Sequence, residues 1–318
     1  MTKPLVSILI PVYNREKLVK RAIESAINQT YENIEVIAVD NKSTDRTYEI
    51  LKEYARKYPN VKVYQNKENI GPVRNWKKCL EYSSGKFVKI LFSDDWIDET
   101  FVEKCMEILL ANEDVGFVYT KTYFTDANGK CIGVYINDFE GKKEREYFVN
   151  ESVRFPHGKT PVSPGCALFR KEAVIIENNI PNCLSLNHEN IGAGIDLLIY
   201  LNSFKKYKYC YYTSGTTAYF RKHSGSFTVK EGDTIRRYYY TAILYYIKRE
   251  NMGNHIYDLK ISILRSSTLR DLIRYRKLLR LYGFEDCNID NKDFILLVVR
   301  KLFKSSKIPY LVIYLKQI

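Results

Sequence analysis

Ser93-Asp94-Asp95 sets two carboxylates side by side, directly after the apolar run at residues 87–92. Adjacent carboxylates on a tight turn repel one another unless a cation lies between them or one of them is protonated. A hard divalent ion such as Mn²⁺ or Mg²⁺, held by oxygens and shared with substrate phosphates, resolves that conflict. The competing reading is that Asp94 and Asp95 cap a helix beginning near Asp98, because acidic residues favour helix starts. Two other phosphate signatures are absent from the sequence. No Gly-x-Gly-x-x-Gly follows the first apolar run, and no Gly-x-x-x-x-Gly-Lys-Ser/Thr occurs. Seven cysteines (Cys79, Cys105, Cys131, Cys166, Cys183, Cys210 and Cys287) are scattered and never spaced C-x-x-C. They suit a reducing compartment and buried packing better than a disulfide framework or a zinc site. Cys166 has no histidine placed by sequence to activate it as a nucleophile.

The elements that must position the acidic turn alternate in period. Residues 5–12 form an apolar run rich in branched side chains, bounded by Pro4 and Tyr13-Asn14, and read as a buried strand. Residues 17–28 carry Leu18, Ala22, Ile23, Ala26 and Ile27 at helical spacing. Residues 34–39 are a second strand, followed by a helix that Ser43 or Thr44 is placed to cap. Residues 61–64 are a third strand. Gly71-Pro72 opens a helix that Gly85 closes, and residues 87–92 are a fourth strand. Residues 101–110 read as helix and 115–119 as strand. Such alternation predicts a mostly parallel sheet covered on both faces, with ligands beyond the carboxyl ends of the strands. The loops after strands one, two and four should therefore meet. They hold Pro11-Val12-Tyr13-Asn14, Asp40-Asn41-Lys42-Ser43 and Ser93-Asp94-Asp95. Residues 122–221 are irregular, with helices expected near 171–178 and 195–204, and should form the far wall of the cleft. From Gly232 onward helical periodicity dominates.

The totals are consistent with this layout. A chain of 318 residues, 45% hydrophobic and 27% charged, suits a packed catalytic domain with an extension. The apolar run at 5–12 is too short for a signal peptide, and no stretch reaches the roughly 18 apolar residues of a membrane span, so a cytoplasmic chain is expected. Net charge is +13, of which +10 falls in residues 235–318. That region holds Tyr238-Tyr239-Tyr240 and Tyr245-Tyr246, and an apolar run at 294–299 precedes Arg300-Lys301-Leu302-Phe303-Lys304. Aromatic and aliphatic side chains beside cations suit the surface of an anionic membrane. The alternative is a helical subdomain packed on the core with a solvated basic face. No recognisable nucleic-acid module accompanies the charge, so no nucleic-acid partner is expected.

Five ordered segments carry a resemblance. They are Val6-Ser7-Ile8-Leu9-Ile10-Pro11-Val12-Tyr13-Asn14; Ser25-Ala26-Ile27-Asn28-Gln29-Thr30-Tyr31; the run from Ile34 through Val39-Asp40-Asn41-Lys42-Ser43-Thr44-Asp45; Asn69-Ile70-Gly71 with Arg74-Asn75; and Phe92-Ser93-Asp94-Asp95-Trp96. Together they resemble glycosyltransferase family 2, strongly over residues 5–120 and weakly to 225. The resemblance implies a GT-A fold, an α/β Rossmann-like sheet flanked by helices. It also implies a nucleotide-sugar donor and inversion at the anomeric carbon. The catalytic domain would occupy residues 1–231, with its nucleotide-sugar half at 1–120 and its acceptor half at 121–231. A basic, tyrosine-rich helical region would occupy 232–318.

The resemblance also implies roles. Pro11 and Tyr13 would cradle and stack on the base, and Asp40 or Asn41 would read a uracil-like edge. Arg74 would face the base or the diphosphate. Asp94 would hold the ribose, and Asp95 would bind Mn²⁺ or Mg²⁺ on the diphosphate. Inversion requires a carboxylate beneath the acceptor hydroxyl, and Asp196, after Gly192-Ala193-Gly194, stands where the family has it. Glu189 is a rival for that role, with His188 beside it as a polar lining residue. Arg221 and His223 resemble the family's Arg-x-His segment, which brings cations or an imidazole to the leaving diphosphate, and His223 is a further candidate metal ligand. The expected activity moves a sugar, from a UDP-sugar in the first instance, to a glycan or lipid-linked glycan acceptor in surface-polysaccharide synthesis. The chain would sit on the inner face of the cell membrane. The rivals are a nucleotide-sugar or glycan-binding module without turnover and a metal-dependent nucleotidyltransferase.

Overall fold

Parallel strands rich in valine and isoleucine must have both faces covered, and the first half of the chain obeys this rule. In the computed structural model, which describes residues 3–178, 180, 186–226 and 234–305 (side chains to 301), all seven residues of β1 (Val6–Val12) are buried, as are all seven of β2 (Ile34–Asp40). Between them α1 (Val19–Ile27) buries Val19, Ala22, Ile23 and Ala26; of the expected stripe Leu18 falls just before the helix and Ile27 stays half-buried, while Val19 takes the buried place. The series continues with α2 (Thr47–Lys57), β3 (Val61–Gln65), α3 (Pro72–Tyr82) and β4 (Phe87–Ile90). β3, β2, β1 and β4 are neighbours in that order and run parallel. Pro72 takes the first position of α3, where its missing N–H costs nothing.

The second half of the sheet is built by β5 (Trp96–Ile97), β6 (Val115–Thr125), β7 (Cys131–Tyr135), β8 (Gly141–Glu144), β9 (Ala167–Arg170) and β10 (Tyr209–Arg221). The order is β3-β2-β1-β4-β9-β6-β10-β5, with β7 on β6 and β8 on β10. β9 runs antiparallel to both β4 and β6, so β6 and β10 point the same way as β1. The carboxyl ends of β1, β2, β4, β6 and β10 consequently share one edge of the sheet. Helices α4 (Phe101–Ala111), α5 (Arg145–Val153), α6 (His188–Ile191) and α7 (Ile195–Ser203) complete this half. Its core is aromatic: Phe117 lies 5.1–6.2 Å from Tyr119, Phe148, Phe169, Tyr200 and Phe204, ring centre to ring centre.

Among the described residues five helices follow: α8 (Thr234–Arg249), α9 (His255–Ser266), α10 (Leu269–Ile273), α11 (Tyr275–Leu281) and α12 (Asn291–Ser305). α8 is tied to the sheet-bearing part by hydrogen bonds from Tyr246 Oη to the Leu201 carbonyl, 3.2 Å, and from Tyr240 Oη to the Phe155 carbonyl, 2.8 Å. Arg249 adds an ion pair with Glu177 and a 2.6 Å bond to Asn202 Oδ1. Tyr238, Tyr239, Tyr240 and Tyr246 are buried in this interface. Of the two readings of this tyrosine cluster, a membrane surface or packing on the core, these four tyrosines serve the second. Among the described residues no helix is long and apolar enough to cross a membrane.

Several local expectations change. Neither Ser43 nor Thr44 caps α2. Ser43 donates to Asp40 instead, and Thr47 N–H is met by Asp45 at 3.0 Å. α3 ends at Tyr82, before Gly85, and residues 171–178 hold only a single 3₁₀ turn, Lys171–Ala173. The six cysteines within the described residues are free thiols. Cys183, the domain boundary at 231–232 and the side chains of Leu302, Phe303 and Lys304 lie outside the described part.

Candidate active site

A cleft of about 1780 Å³ opens along the shared carboxyl edge of the sheet. Pro11, Val12, Tyr13 and Asn14 line it from the end of β1, Asn41 from the end of β2, and Ser93, Asp94 and Asp95 from the turn after β4. The convergence follows from strand order alone. The first two loops are laced together: Asn14, left-handed at φ 50°, donates its N–H to Ser43 Oγ at 2.9 Å and accepts from Thr44 N–H at 2.8 Å.

The acidic turn does not cap a helix. It is followed by β5, which pairs antiparallel with β10. Trp96 on β5 stacks on Tyr219, with ring centres 5.1 Å apart, and the Arg21 guanidinium lies 3.4 Å from the Trp96 ring centre. β10 ends at Arg221, whose backbone N–H donates to Asp95 Oδ1 at 2.9 Å. Asp95 Oδ2 takes no hydrogen bond among the described residues. Asp94 Oδ2 lies 3.0 Å from His223 Nε2 and 3.8 Å from the Arg15 guanidinium. Burial pushes the Asp94 carboxyl up, but the His223 hydrogen bond and the Arg15 charge outweigh it and hold it below the usual range. Burial and the negative charge of Asp94 push Asp95 well above that range. The two carboxyls are thus pushed in opposite directions, and a divalent cation at Asp95 would favour its ionised form.

His223 is placed as a partner of Asp94 and not as an open ligand. Gly225 N–H donates to its Nδ1 at 3.1 Å, so the proton sits on Nε2 and points at Asp94. Arg221 lies along the cleft with its guanidinium 4.9 Å from the Trp96 ring, and its Nε is buried without a hydrogen-bond partner. An orphaned buried cationic donor beside a carboxylate is a fit for an anionic oxygen. Among the described residues no three-ligand protein cage for a metal exists. The donors present, Asp95 Oδ2 above all, suit a cation held jointly with phosphate oxygens and water.

Asp196 lines the same cleft from the first turn of α7. Its Oδ1 accepts from the N–H groups of Gly194 and Leu197, each at 2.8 Å, and its Oδ2 accepts from Tyr239 Oη at 2.8 Å. Burial pushes its carboxyl up to about 7, against the pull of those three hydrogen bonds. A carboxyl poised there is suited to take a proton near neutral pH. The loop before it is shaped by glycine: at φ +85°, a Cβ on Gly194 would meet the Tyr238 carbonyl at 2.7 Å.

Not every expected residue arrives. Asp40 is fully buried, bound to Ser43 and, at 2.9 Å, to Gln65, and does not line the cleft. Asn41 lines it, but its amide is committed: Nδ2 donates to Asn69 Oδ1 at 2.8 Å, and Oδ1 accepts from Asn66 at 2.9 Å and Ile70 N–H at 3.0 Å. Arg74 lies on the wall in an ion pair with Glu189 at 2.6 Å, so Glu189 is engaged there. His188 does not line the cleft. Its Nδ1 lies 3.0 Å from the Ala193 carbonyl oxygen. Cys166 lines it as a buried thiol raised by desolvation. Sequence reasoning missed Arg15 and Tyr239. Arg15 directly follows Tyr13-Asn14, a signal that was available, whereas Tyr239 is 43 residues from its partner and local pattern gives no hint of it.

The family model described as glycosyl transferase family 2 matches residues 7–175, just over half of the chain. An uncharacterized glycosyltransferase of Methanocaldococcus jannaschii is 32% identical over 156 residues, 48% of this chain and 54% of that protein. Chondroitin synthase of Pasteurella multocida is 26% identical over 262 residues, 80% of this chain and 24% of that protein. The chain therefore spans about half the length of the first relative and about a quarter of the second. Among solved structures, S. aureus TarS 1–349 in complex with UDP-GlcNAc aligns with a TM-score of 0.60 at 15% identity, covering 94% of this chain and 92% of that one. At that identity the likeness speaks for the fold, and it agrees with the α/β GT-A arrangement.

Proposed function

The chain belongs to glycosyl transferase family 2, and from that premise we propose that it is an inverting glycosyltransferase using a nucleoside-diphosphate sugar. One observation carries the reading: a single cleft holds Asp95 with an uncommitted oxygen, Arg221 with an unpaired buried Nε, and Asp196 with a carboxyl at about 7. The first two suit a diphosphate and the third suits a hydroxyl about to lose its proton. UDP-GlcNAc in the TarS complex and the polymer named in chondroitin synthase favour a UDP-sugar donor and a glycan acceptor.

In this mechanism Asp196 Oδ2 removes the proton from an acceptor hydroxyl. The hydroxyl oxygen attacks the anomeric carbon, and the bond from that carbon to the diphosphate oxygen breaks with inversion. Arg221 receives the negative charge of the departing diphosphate, the largest electrostatic demand of the reaction. Asp95 would hold a divalent cation, Mn²⁺ or Mg²⁺, which when bound neutralises the diphosphate. Asp94, held by His223 and Arg15, would take the ribose. Tyr13 offers a ring for the base, and Pro11 and Asn41 shape the base pocket. Asp40 supports that pocket from behind by holding Ser43. Arg74 guards the same wall.

The acceptor in this proposal is a surface glycan on a lipid carrier, with the chain resting on the inner leaflet. Apolar side chains exposed on the C-terminal helices include Ile273, Leu281 and Ile295, and Arg270, Arg274, Arg280 and Lys292 are exposed near them in sequence. Sedimentation with anionic liposomes tests this. Replacing those three apolar residues with serine should abolish binding, and unchanged binding would count against the contact.

Turnover is tested by incubating the chain with UDP-sugars, Mn²⁺ and a glycan acceptor, and measuring released UDP and extended acceptor. Asp196→Asn should bind donor and not transfer. Wild-type transfer by that variant would remove the base from the mechanism, and donor binding without any transfer by the wild type would favour a binding module.

A further inference from the structure

Asp196 is held from two sides. Its own loop and helix occupy Oδ1 with the Gly194 and Leu197 N–H groups, while Oδ2 is met by Tyr239 of α8, at 2.8 Å. Tyr239 is buried, lines the cleft and packs its ring on Phe155, centre to centre 4.8 Å. The same helix backs the loop itself. A Cβ at Gly194 would lie 2.7 Å from the Tyr238 carbonyl and 2.9 Å from Ala242 Cβ. α8 therefore touches the Asp196 turn through backbone packing and through a side-chain hydroxyl.

We propose that Tyr239 is the positioning residue of the base: its hydroxyl fixes the carboxyl plane of Asp196 and leaves one lone pair of Oδ2 directed at the acceptor, so that the C-terminal helices complete the active site. This rests on the assignment of Asp196 as base. With Oδ1 occupied by two backbone donors, only Oδ2 is open to a substrate hydroxyl, and one of its two acceptor directions is taken by Tyr239. A donor bonded to the ionised form also favours that form, so removing the hydroxyl makes the carboxyl harder to ionise. Among the described residues, Tyr239 of α8 is the titratable side chain bonded to it, and His188 of α6 lies against the Gly194 turn with its Nδ1 facing the Ala193 carbonyl and its ring against Tyr238. Elsewhere the cleft wall carries Cys166, Tyr135 and Glu151, the last bound by Arg154 and the Lys159 N–H, each at 2.7 Å, together with the Arg74–Glu189 pair and the Asp94, Asp95 and Arg221 group already described.

The test is Tyr239→Phe in the full chain, which keeps the ring against Phe155. The acidic limb of kcat against pH should move up by about one unit, so that kcat falls about fivefold at pH 7 and recovers by pH 9, with the donor KM unchanged. A loss that is the same at every pH, or no loss, overturns the proposal. A measurement on the wild-type chain needs no variant. The ¹³Cγ resonance of Asp196 and the ¹³Cζ resonance of Tyr239 should titrate with one midpoint near pH 7, and two unrelated midpoints overturn the proposal as well. If Asp196→Asn stops transfer while the Tyr239→Phe limb stays in place, the role of Tyr239 alone is wrong. If Asp196→Asn transfers normally, the base assignment is wrong and the positioning role goes with it.

Discussion

Replacing Asp196 with asparagine should separate stability from activity. In the fold, burial raises this carboxyl from 3.8 to about 7. For an acid whose folded pKa lies above its unfolded value, the stabilising contribution is fully present below about pH 4 and is lost as pH rises to about 7. The loss runs at about 1.36 kcal/mol per pH unit, which gives an upper bound of about 4 kcal/mol at neutral pH. Asparagine keeps Oδ1 for the Gly194 and Leu197 N–H groups. Its Nδ2 takes the place of Oδ2, and the Tyr239 hydroxyl can accept from it, so the contact survives with its direction reversed. The variant should therefore escape the cost of an ionised buried carboxylate. A chain of this length has an unfolding entropy of about 0.7 kcal/mol/K, so 2–4 kcal/mol appears as roughly 3–6 °C in Tm. Thermal melts at pH 5, 6, 7 and 8, beside a transfer assay, read this out. The variant's advantage should widen from pH 5 to pH 7 and level off by pH 8, with transfer abolished throughout. A Tm difference that ignores pH, or a variant less stable than wild type at pH 8, would refute the reasoning.

Other outcomes follow from the same geometry. In wild type, kcat should rise about tenfold per pH unit below pH 7 and flatten above it, because the base must be ionised, and a flat profile from pH 5 to 8 would contradict that. Asp95→Ala should weaken Mn²⁺-dependent binding of a UDP-sugar by roughly 100-fold or more in calorimetry, whereas unchanged affinity would place the cation elsewhere. Arg221→Met should lower kcat by about 10²–10³ with a smaller change in donor affinity, since charge builds on the diphosphate only as the bond breaks. Gly194→Ala adds about 1–2 kcal/mol of left-handed strain and a contact at 2.7 Å with the Tyr238 carbonyl. Its melting temperature should fall by several degrees and transfer should suffer more than donor binding.

The parts of this molecule legible in the sequence were those governed by near neighbours. Leu9, Ile10, Val36 and Val39 announce covered parallel strands because strand period and burial are local properties, and strand order then brings Tyr13, Asn41 and Asp95 to one edge. The reversal of β9 was hidden, since four residues between an irregular loop and a turn carry no direction. Asp40 and Asn41 look like equivalent base readers in sequence. Only the pairing of β2 with β3 brings Gln65 to Asp40, and only the loop before α3 brings Asn66 and Asn69 to Asn41. The tyrosines of α8 left two readings open for a related reason. Tyrosine suits a membrane interface and a partly polar core alike, and which one it meets depends on α7 and Phe155, far away in the chain.

The central claim is that one cleft binds a nucleoside diphosphate through a cation on Asp95 while Asp196 faces the acceptor. Crystals grown with UDP and Mn²⁺, with data collected at the manganese absorption edge, test it most directly. The account predicts one anomalous peak between Asp95 Oδ2 and the diphosphate, with Arg221 on a phosphate oxygen and the uracil against Tyr13. A diphosphate bound in this cleft with no peak at Asp95, or UDP bound outside the cleft, would contradict it.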